Sequence, residues 1–292
     1  MLRLAAIGLA CGAALLSAAV VAVGLFLSAP ARATVGAPPG DLRAEQIEIA
    51  SPSGATLRGW FIEGRPGAGA VVLMHGVQGN RLHMVPRARL LVAAGFSVLL
   101  FDFQAHGEST GNRITFGRLE GLDARAAVAL VRQRLPAERV GAIGSSLGGA
   151  AALLGPGPLP VDALVLESVY SEIGTAISNR ITAVLPVVGG IVARPAAWLF
   201  ELLLPPIIGV RPAELRPIDR IAEVTAPILV AAGTLDDRTT IAEADAMFAR
   251  ALEPKWIWRV EGARHVDLEA YAPDDYRKRI VPFLAERLRQ AR

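Results

Sequence analysis

The sequence predicts an α/β protein built on a mostly parallel sheet flanked by helices, and three observations carry that prediction. From residue 45 onward, short apolar runs alternate with stretches of helical length. Several of these runs are apolar at nearly every position, as strands buried on both faces of a parallel sheet must be. One of them, Val140–Ile143, leads directly into Gly144-Ser145-Ser146-Leu147-Gly148 and then into a small-residue helix. That turn chemistry belongs to a strand-to-helix junction. At 292 residues, 52% hydrophobic and 20% charged, the chain is globular and long enough for one large domain.

The first 33 residues stand apart. Between Leu4 and Ala29 there is no charge, and only Gly8, Gly12, Ser17, Gly24 and Ser28 are not hydrophobic. Such a run is long enough to cross a hydrocarbon core as a helix. Ala31-Arg32-Ala33 also has the small-x-small form of a signal-peptide cleavage site. Residues 1–33 are therefore expected to be a retained membrane anchor or a removable signal peptide. Both readings imply a membrane-anchored or exported protein on the periplasmic or extracellular side. Arg3 on one flank and Arg32 and Arg43 on the other leave the positive-inside rule almost without a vote. Cys11 has no leucine three residues before it, so it is read as an ordinary membrane-facing thiol. The mean hydropathy of +0.42 comes partly from this segment. Gly36, Pro38, Pro39 and Gly40 mark residues 34–44 as a linker.

Residues 45–292 form the folded domain. Gln46–Ala50 and Thr56–Glu63 are expected to pair around a Ser-Pro-Ser-Gly turn. Ala70–Met74, Ser97–Phe101, Val140–Ile143, Ala163–Leu166 and Ile228–Ala231 follow as buried strands, and Lys255–Val260 as a more polar last one. Helices are expected near 82–94, 118–134, 147–154, 240–252 and 274–291. In the second, Leu119, Leu122, Ala126, Ala129 and Leu130 fall on one face. Strict alternation implies right-handed crossovers and one sheet. Residues 170–220 break the rhythm with Pro186, Pro195, Pro205, Pro206, Pro212 and Pro217 among apolar segments. A structureless loop of that length is implausible in a compact domain, so this stretch is expected to be a helical cap over the sheet's carboxyl edge.

The Gly144–Gly148 pentad makes Ser146 the candidate nucleophile, because a serine forced to positive φ needs small neighbours at i−2 and i+2. Such a serine needs a base, and the base needs an orienting acid. His265 lies just after the last strand and Asp236 just after Ile228–Ala231, so the chain order is serine, acid, histidine. Asp237 is the competing acid. Each of the three groups follows a strand's carboxyl end, where sites form in open α/β sheets. Two backbone N–H groups must hold the oxyanion. One is Leu147, next to the nucleophile, and the other is Val77 in His75-Gly76-Val77-Gln78-Gly79-Asn80. His75 is read as a brace for that loop and His83 as a surface helix residue.

His75–Asn80, Asp102-Phe103-Gln104-Ala105-His106-Gly107-Glu108-Ser109 and Gly144–Gly148 resemble the α/β-hydrolase superfamily, in particular its esterase, lipase and serine-aminopeptidase-like group. The resemblance covers about residues 45–290. It implies the α/β-hydrolase fold, a mostly parallel eight-stranded sheet flanked by helices with a helical cap insertion at 170–220. Asp236 and His265 match the superfamily's acid and base in position. It also implies that Asp102 and His106 are structural. The group often has arginine and glycine where this chain has Gln104 and Ala105.

The expected function is a serine hydrolase cleaving ester-type, lipid-like acyl bonds through an acyl-enzyme. The partners are a small-molecule ester or acyl substrate and, through the N-terminal segment, a membrane. A serine peptidase is the second reading, and a membrane-tethered binding scaffold without catalysis the third. Neither a metal nor an organic cofactor is called for. A net charge of +3, from 30 basic against 27 acidic residues, offers no basic tract for nucleic acid. A single cysteine excludes a disulfide framework and a multi-cysteine metal site.

Overall fold

The computed structural model describes residues 17–290, apart from residues 19, 186 and 188. The first half of the apolar N-terminal run, Cys11 included, lies outside the described residues. An 8-stranded sheet forms the centre. Its strands are β1 (Glu45–Ala50), β2 (Thr56–Ile62), β3 (Ala70–Met74), β4 (Ser97–Phe101), β5 (Val140–Ser145), β6 (Ala163–Glu167), β7 (Ile228–Gly233) and β8 (Lys255–Val260). Their spatial order is β1-β2-β4-β3-β5-β6-β7-β8. The pairs β1–β2 and β2–β4 are antiparallel and all the rest are parallel. The predicted fold class is borne out, including the hairpin at the start.

Every residue of β3, β4, β6 and β7 is buried, which is why these strands read as unbroken apolar runs. Edge strand β8 alternates exposed and buried residues and is the polar one. Helices α1 (Val85–Ala93) and α7 (Pro273–Leu288) cover one face, packing Leu91, Ile280 and Leu284 onto Val71, Leu73 and Val165. Helices α2 (Glu120–Arg134), α3 (Leu147–Leu153) and α6 (Ile241–Arg250) cover the other, with Ala124, Val128, Leu153 and Met247 in the core. α6 starts with a capping box: Thr240 Oγ1 accepts from Glu243 N, and Glu243 Oε2 accepts from Thr240 N at 2.9 Å.

The face expected for α2 needs correction. Its buried residues are Glu120, Gly121, Asp123, Ala124, Ala127, Val128 and Val131, whereas Ala129 is exposed and Leu122, Ala126 and Leu130 are half-buried. Two carboxylates on the buried face hid the periodicity. Glu120 accepts from the amides of Thr115 and Gly117, both at 2.8 Å. Asp123 accepts from the hydroxyls of Ser51 and Ser53 and from Gln104 N. Buried carboxylates satisfied in this way clamp loops rather than face water.

The cap contains α4 (Ile173–Val184) and α5 (Gly189–Ile208). α5 is long and apolar enough to cross a membrane by composition, but Ala193, Ala196, Ala197, Phe200 and Leu204 are packed into the core. The described part of the N-terminal run is helical through Ser28 and lies against α5. There a Cβ on Gly24 would stand 3.3 Å from Ile207 and Phe200. The chain then enters a parallel two-residue bridge, Ala31-Arg32 against His106-Gly107. The segment read as a linker is docked: the amides of Val35 and Gly36 both donate to Glu108 Oε1 at 3.0 Å, and Asp41 pairs with Arg89 at 2.6 Å.

Candidate active site

Strand β5 delivers Ser146 to the sheet's carboxyl edge. Ser146 has φ 49° and ψ −110° between the strand and α3, a conformation of a kind that costs about 1–3 kcal/mol. The flanking glycines are required by contact. A Cβ on Gly144 would stand 2.5 Å from Gly149 N, and one on Gly148 would overlap Met74 O. Ser146 N donates to Glu167 O at 2.7 Å, tying the turn to the end of β6. Leu147 opens α3, so its N–H is one of those with no acceptor inside the helix.

Asp236 and His265 come together. His265 Nδ1 lies 2.9 Å from Asp236 Oδ2, and Asp236 is buried. Asp236 also accepts from Arg238 N and Thr239 N at 2.9 Å and from Thr239 Oγ1 at 2.8 Å. Burial pushes its carboxyl up. The His265 hydrogen bond and charge, with the Thr239 and Arg238 amides, outweigh that and hold it below the ordinary carboxylate range. Asp237 is exposed and lies 3.6 Å from Arg264 Nη1.

The loops after β3 and β4 brace each other. His75 Nε2 accepts from Phe103 N at 3.1 Å while its Nδ1 meets Gly76 O at 2.8 Å, which places the ring proton on Nδ1. His106 repeats the arrangement, with Nε2 accepting from Gln78 N and Nδ1 against Gln104 O. Burial drives both imidazoles toward the neutral form. Asp102 accepts from Arg81 N at 2.7 Å and Glu108 N at 3.0 Å and pairs with the buried Arg81 guanidinium. That guanidinium stands 4.7 Å over the Trp60 ring. In the loop after β4, Gln104 is bonded to Glu120 Oε1 at 2.8 Å and Ala105 takes φ 60°. His83 is exposed, on a single 3-10 turn at the cleft's rim rather than within α1.

An open cleft of about 860 Å³ holds Ser146, His265 and Val77 in its walls. A small apolar pocket beside Ser146 is walled by Leu27, Val77, Leu147, Phe116, Ile173 and Ile177. Sequence reasoning missed three groups of the cleft. Arg180 on α4 lines both cavities. Ser168 follows β6 at φ 48° with a buried Oγ that has no hydrogen-bond partner among the described residues. Arg87 is buried and bonds Glu167 Oε2 at 2.6 Å and Asp267 Oδ2 at 2.8 Å, joining the end of β6 to the loop that carries His265. None stands in a motif; only the positive-φ turn after β6 is a local feature, and it has no sequence signature here.

A nucleophile elbow on the fifth strand of this sheet, with an Asp–His pair at the ends of the last two strands, defines the class: the chain belongs to the α/β-hydrolase superfamily. The family model for serine aminopeptidases of the S33 type matches residues 65–203. An uncharacterised protein of Mycobacterium tuberculosis, Rv2307c, is 31% identical over 227 residues, which is 76% of this chain and 73% of that protein. Protein YfhR of Escherichia coli K12 is 26% identical over 261 residues, 86% of this chain and 84% of its own length. Among solved structures, the Pyrococcus furiosus esterase Pf2001 superposes with a TM-score of 0.74 at 24% identity, over 90% of this chain and 98% of that one. At that identity the likeness concerns the fold.

Proposed function

We propose that this chain is a serine hydrolase that cleaves ester-type acyl bonds through a Ser146–His265–Asp236 triad. The observation that carries the reading is the pair of buried Asp236 and half-buried His265, at 2.9 Å, with His265 in the wall of the same cleft as Ser146. His265 takes the Ser146 proton as the hydroxyl attacks the carbonyl carbon. The Val77 and Leu147 N–H groups hold the oxyanion, and the leaving alcohol departs with the proton from His265. Water, activated by the same imidazole, then releases the acid. Asp236 holds a proton on His265 Nδ1, so that Nε2 is left for the nucleophile. Each step uses side chains and backbone of this chain alone.

The apolar pocket beside Ser146 supports an apolar acyl group, and esters of lipid-like character follow from it. The membrane reading rests on the uncharged N-terminal run. Its described part exposes Val23, Leu25 and Phe26 close to Leu27, which lines the cleft. On this reading the segment holds the domain against a membrane, on the exported side. A second reading, peptide cleavage by the same triad, is favoured by the family model's description.

One experiment tests these together. Cells expressing the full chain are fractionated and treated with an uncharged fluorophosphonate probe, and the purified protein is assayed on short-chain p-nitrophenyl esters. Wild type labels in the membrane fraction, and Ser146→Ala abolishes labelling and lowers kcat by about 10³-fold or more. Mutant turnover equal to wild type overturns the triad, and labelling confined to the soluble fraction overturns the tether. Faster turnover of aminoacyl anilides than of esters would replace the ester reading by the peptidase one.

A further inference from the structure

Resting on the hydrolase reading, we propose that Arg180 and Arg238 form a subsite for an anionic group, a carboxylate or a phosphate, carried by the ester substrate close to its scissile bond. Arg180 comes from the cap helix α4 and lines both the open cleft and the apolar pocket beside Ser146. Arg238 comes from the loop after β7, two residues beyond Asp236, and lines the cleft. The two cations therefore face the nucleophile's surroundings from different elements, one above and one at the sheet edge.

Among the described residues, neither guanidinium forms an ion pair with a carboxylate. The only hydrogen bond of the Arg180 side chain among the described residues is from Nη1 to Ala176 O at 3.1 Å, one turn back in its own helix. Carboxylates nearby are already engaged. Asp236 is bonded to His265 and Thr239, and Glu243 to Ser171, Asn179 and Thr240. Asp237 lies against Arg264, and Asp267 against Arg87. Burial, and next the charge of Arg238, hold Arg180 below its ordinary range, although Asp236 and Glu243 pull the other way.

That arrangement differs from those of the two buried arginines described above. Arg81 and Arg87 are buried, deeper than the half-buried Arg180 and the exposed Arg238, and each is matched by two carboxylates. A partly buried guanidinium beside a second one and without a partner costs stability. An incoming anion removes that cost and offers a fork of N–H donors the acceptor pair they fit. The same pair repels the ammonium of a free peptide amino terminus, so the subsite also separates ester from aminopeptidase substrates.

The test measures kcat/KM on matched esters with the full chain. One pair places the anion on the acyl side, p-nitrophenyl hemisuccinate against p-nitrophenyl butyrate. The other places it on the alcohol side, acetylglycerol phosphate against acetylglycerol. Wild type prefers the anionic member of at least one pair by about tenfold or more, and the pair showing the preference tells which side of the bond carries the anion. Arg180→Gln and Arg238→Gln each bring the ratio toward one, and Arg180→Lys restores part of it. A wild-type ratio near one in both pairs overturns the subsite, as does a loss in Arg180→Gln that is equal for both members. Labelling of Ser146 by the uncharged probe, run in parallel, separates the two failures. With labelling but no anion preference only the subsite falls, and without labelling the hydrolase reading falls with it.

Discussion

Below the cleft, the strands end among buried charges with matched partners: Asp102 with Arg81, Glu167 with Arg87 and Tyr276, Asp123 with two serine hydroxyls and an amide. Above it, α4 and α5 meet through apolar side chains and leave Val184, Val187, Ile191, Trp198 and Leu202 exposed. Charged networks work only at one geometry, because a displaced partner leaves a desolvated charge behind. Apolar contacts tolerate small slides at little cost. The lower region thus suits loops that must hold reacting groups to fractions of an ångström. The upper one suits a wall that can shift, and on α4 Asn179 ties it to the neighbouring loop after β7 and to α6, donating to Arg238 O at 3.1 Å and to Glu243 Oε2 at 2.7 Å.

The contrast breaks first at Arg87. Arg87→Met strands Glu167, 1% exposed, with only the Tyr276 hydroxyl, and loosens Asp267 two residues from His265. The expected loss is about 3–5 kcal/mol, and a thermal melt should fall by about 10 °C. A shift below about 2 °C would show that the network below the cleft is no stiffer than the cap.

Asp123 sharpens the comparison through pH. Burial raises its carboxyl to about 6, against hydrogen bonds from Ser51, Ser53 and Gln104 N that lower it. A carboxyl whose folded value lies above its unfolded one binds protons more readily when folded. Its contribution to stability is therefore full at low pH and lost as pH rises from about 4 to about 6. Asp123→Asn removes that dependence, so the melting temperature of the variant relative to wild type should climb across this window and then level off. A constant difference from pH 4 to pH 7 contradicts the assignment.

The smallest effect belongs to the cap. Ile191, 78% exposed on α5, should tolerate Ile191→Ser with a melting shift of about 2 °C or less. A drop as large as that of Arg87→Met would mean that this face is covered by something that stabilises the fold.

What the sequence disclosed follows the same division. Strands buried on both faces announce themselves as apolar runs, and the elbow does so because Gly144 and Gly148 have no room for a Cβ. Asp236 and His265 were legible from chain order, since both sit on the first turns after strands. The buried face of α2 was not. Glu120 and Asp123 look like solvent residues until the loops they clamp are in place. Arg180 was equally hidden, because its meaning depends on how α4 is set over the elbow, and no local pattern encodes that. The docking of residues 34–44 escaped for a related reason: the acceptor, Glu108, lies far along the chain.

Leu27 stands in the wall of both cavities beside Ser146, and Ala31 and Ala33 donate their amides to Ala105 O and Gly107 O at 2.7 and 3.1 Å. A processing protease needs such a stretch as free extended chain, so any cut after Ala33 has to come before this bridge closes. The two products would then differ in more than address, because the shortened form lacks one side of its own substrate chamber.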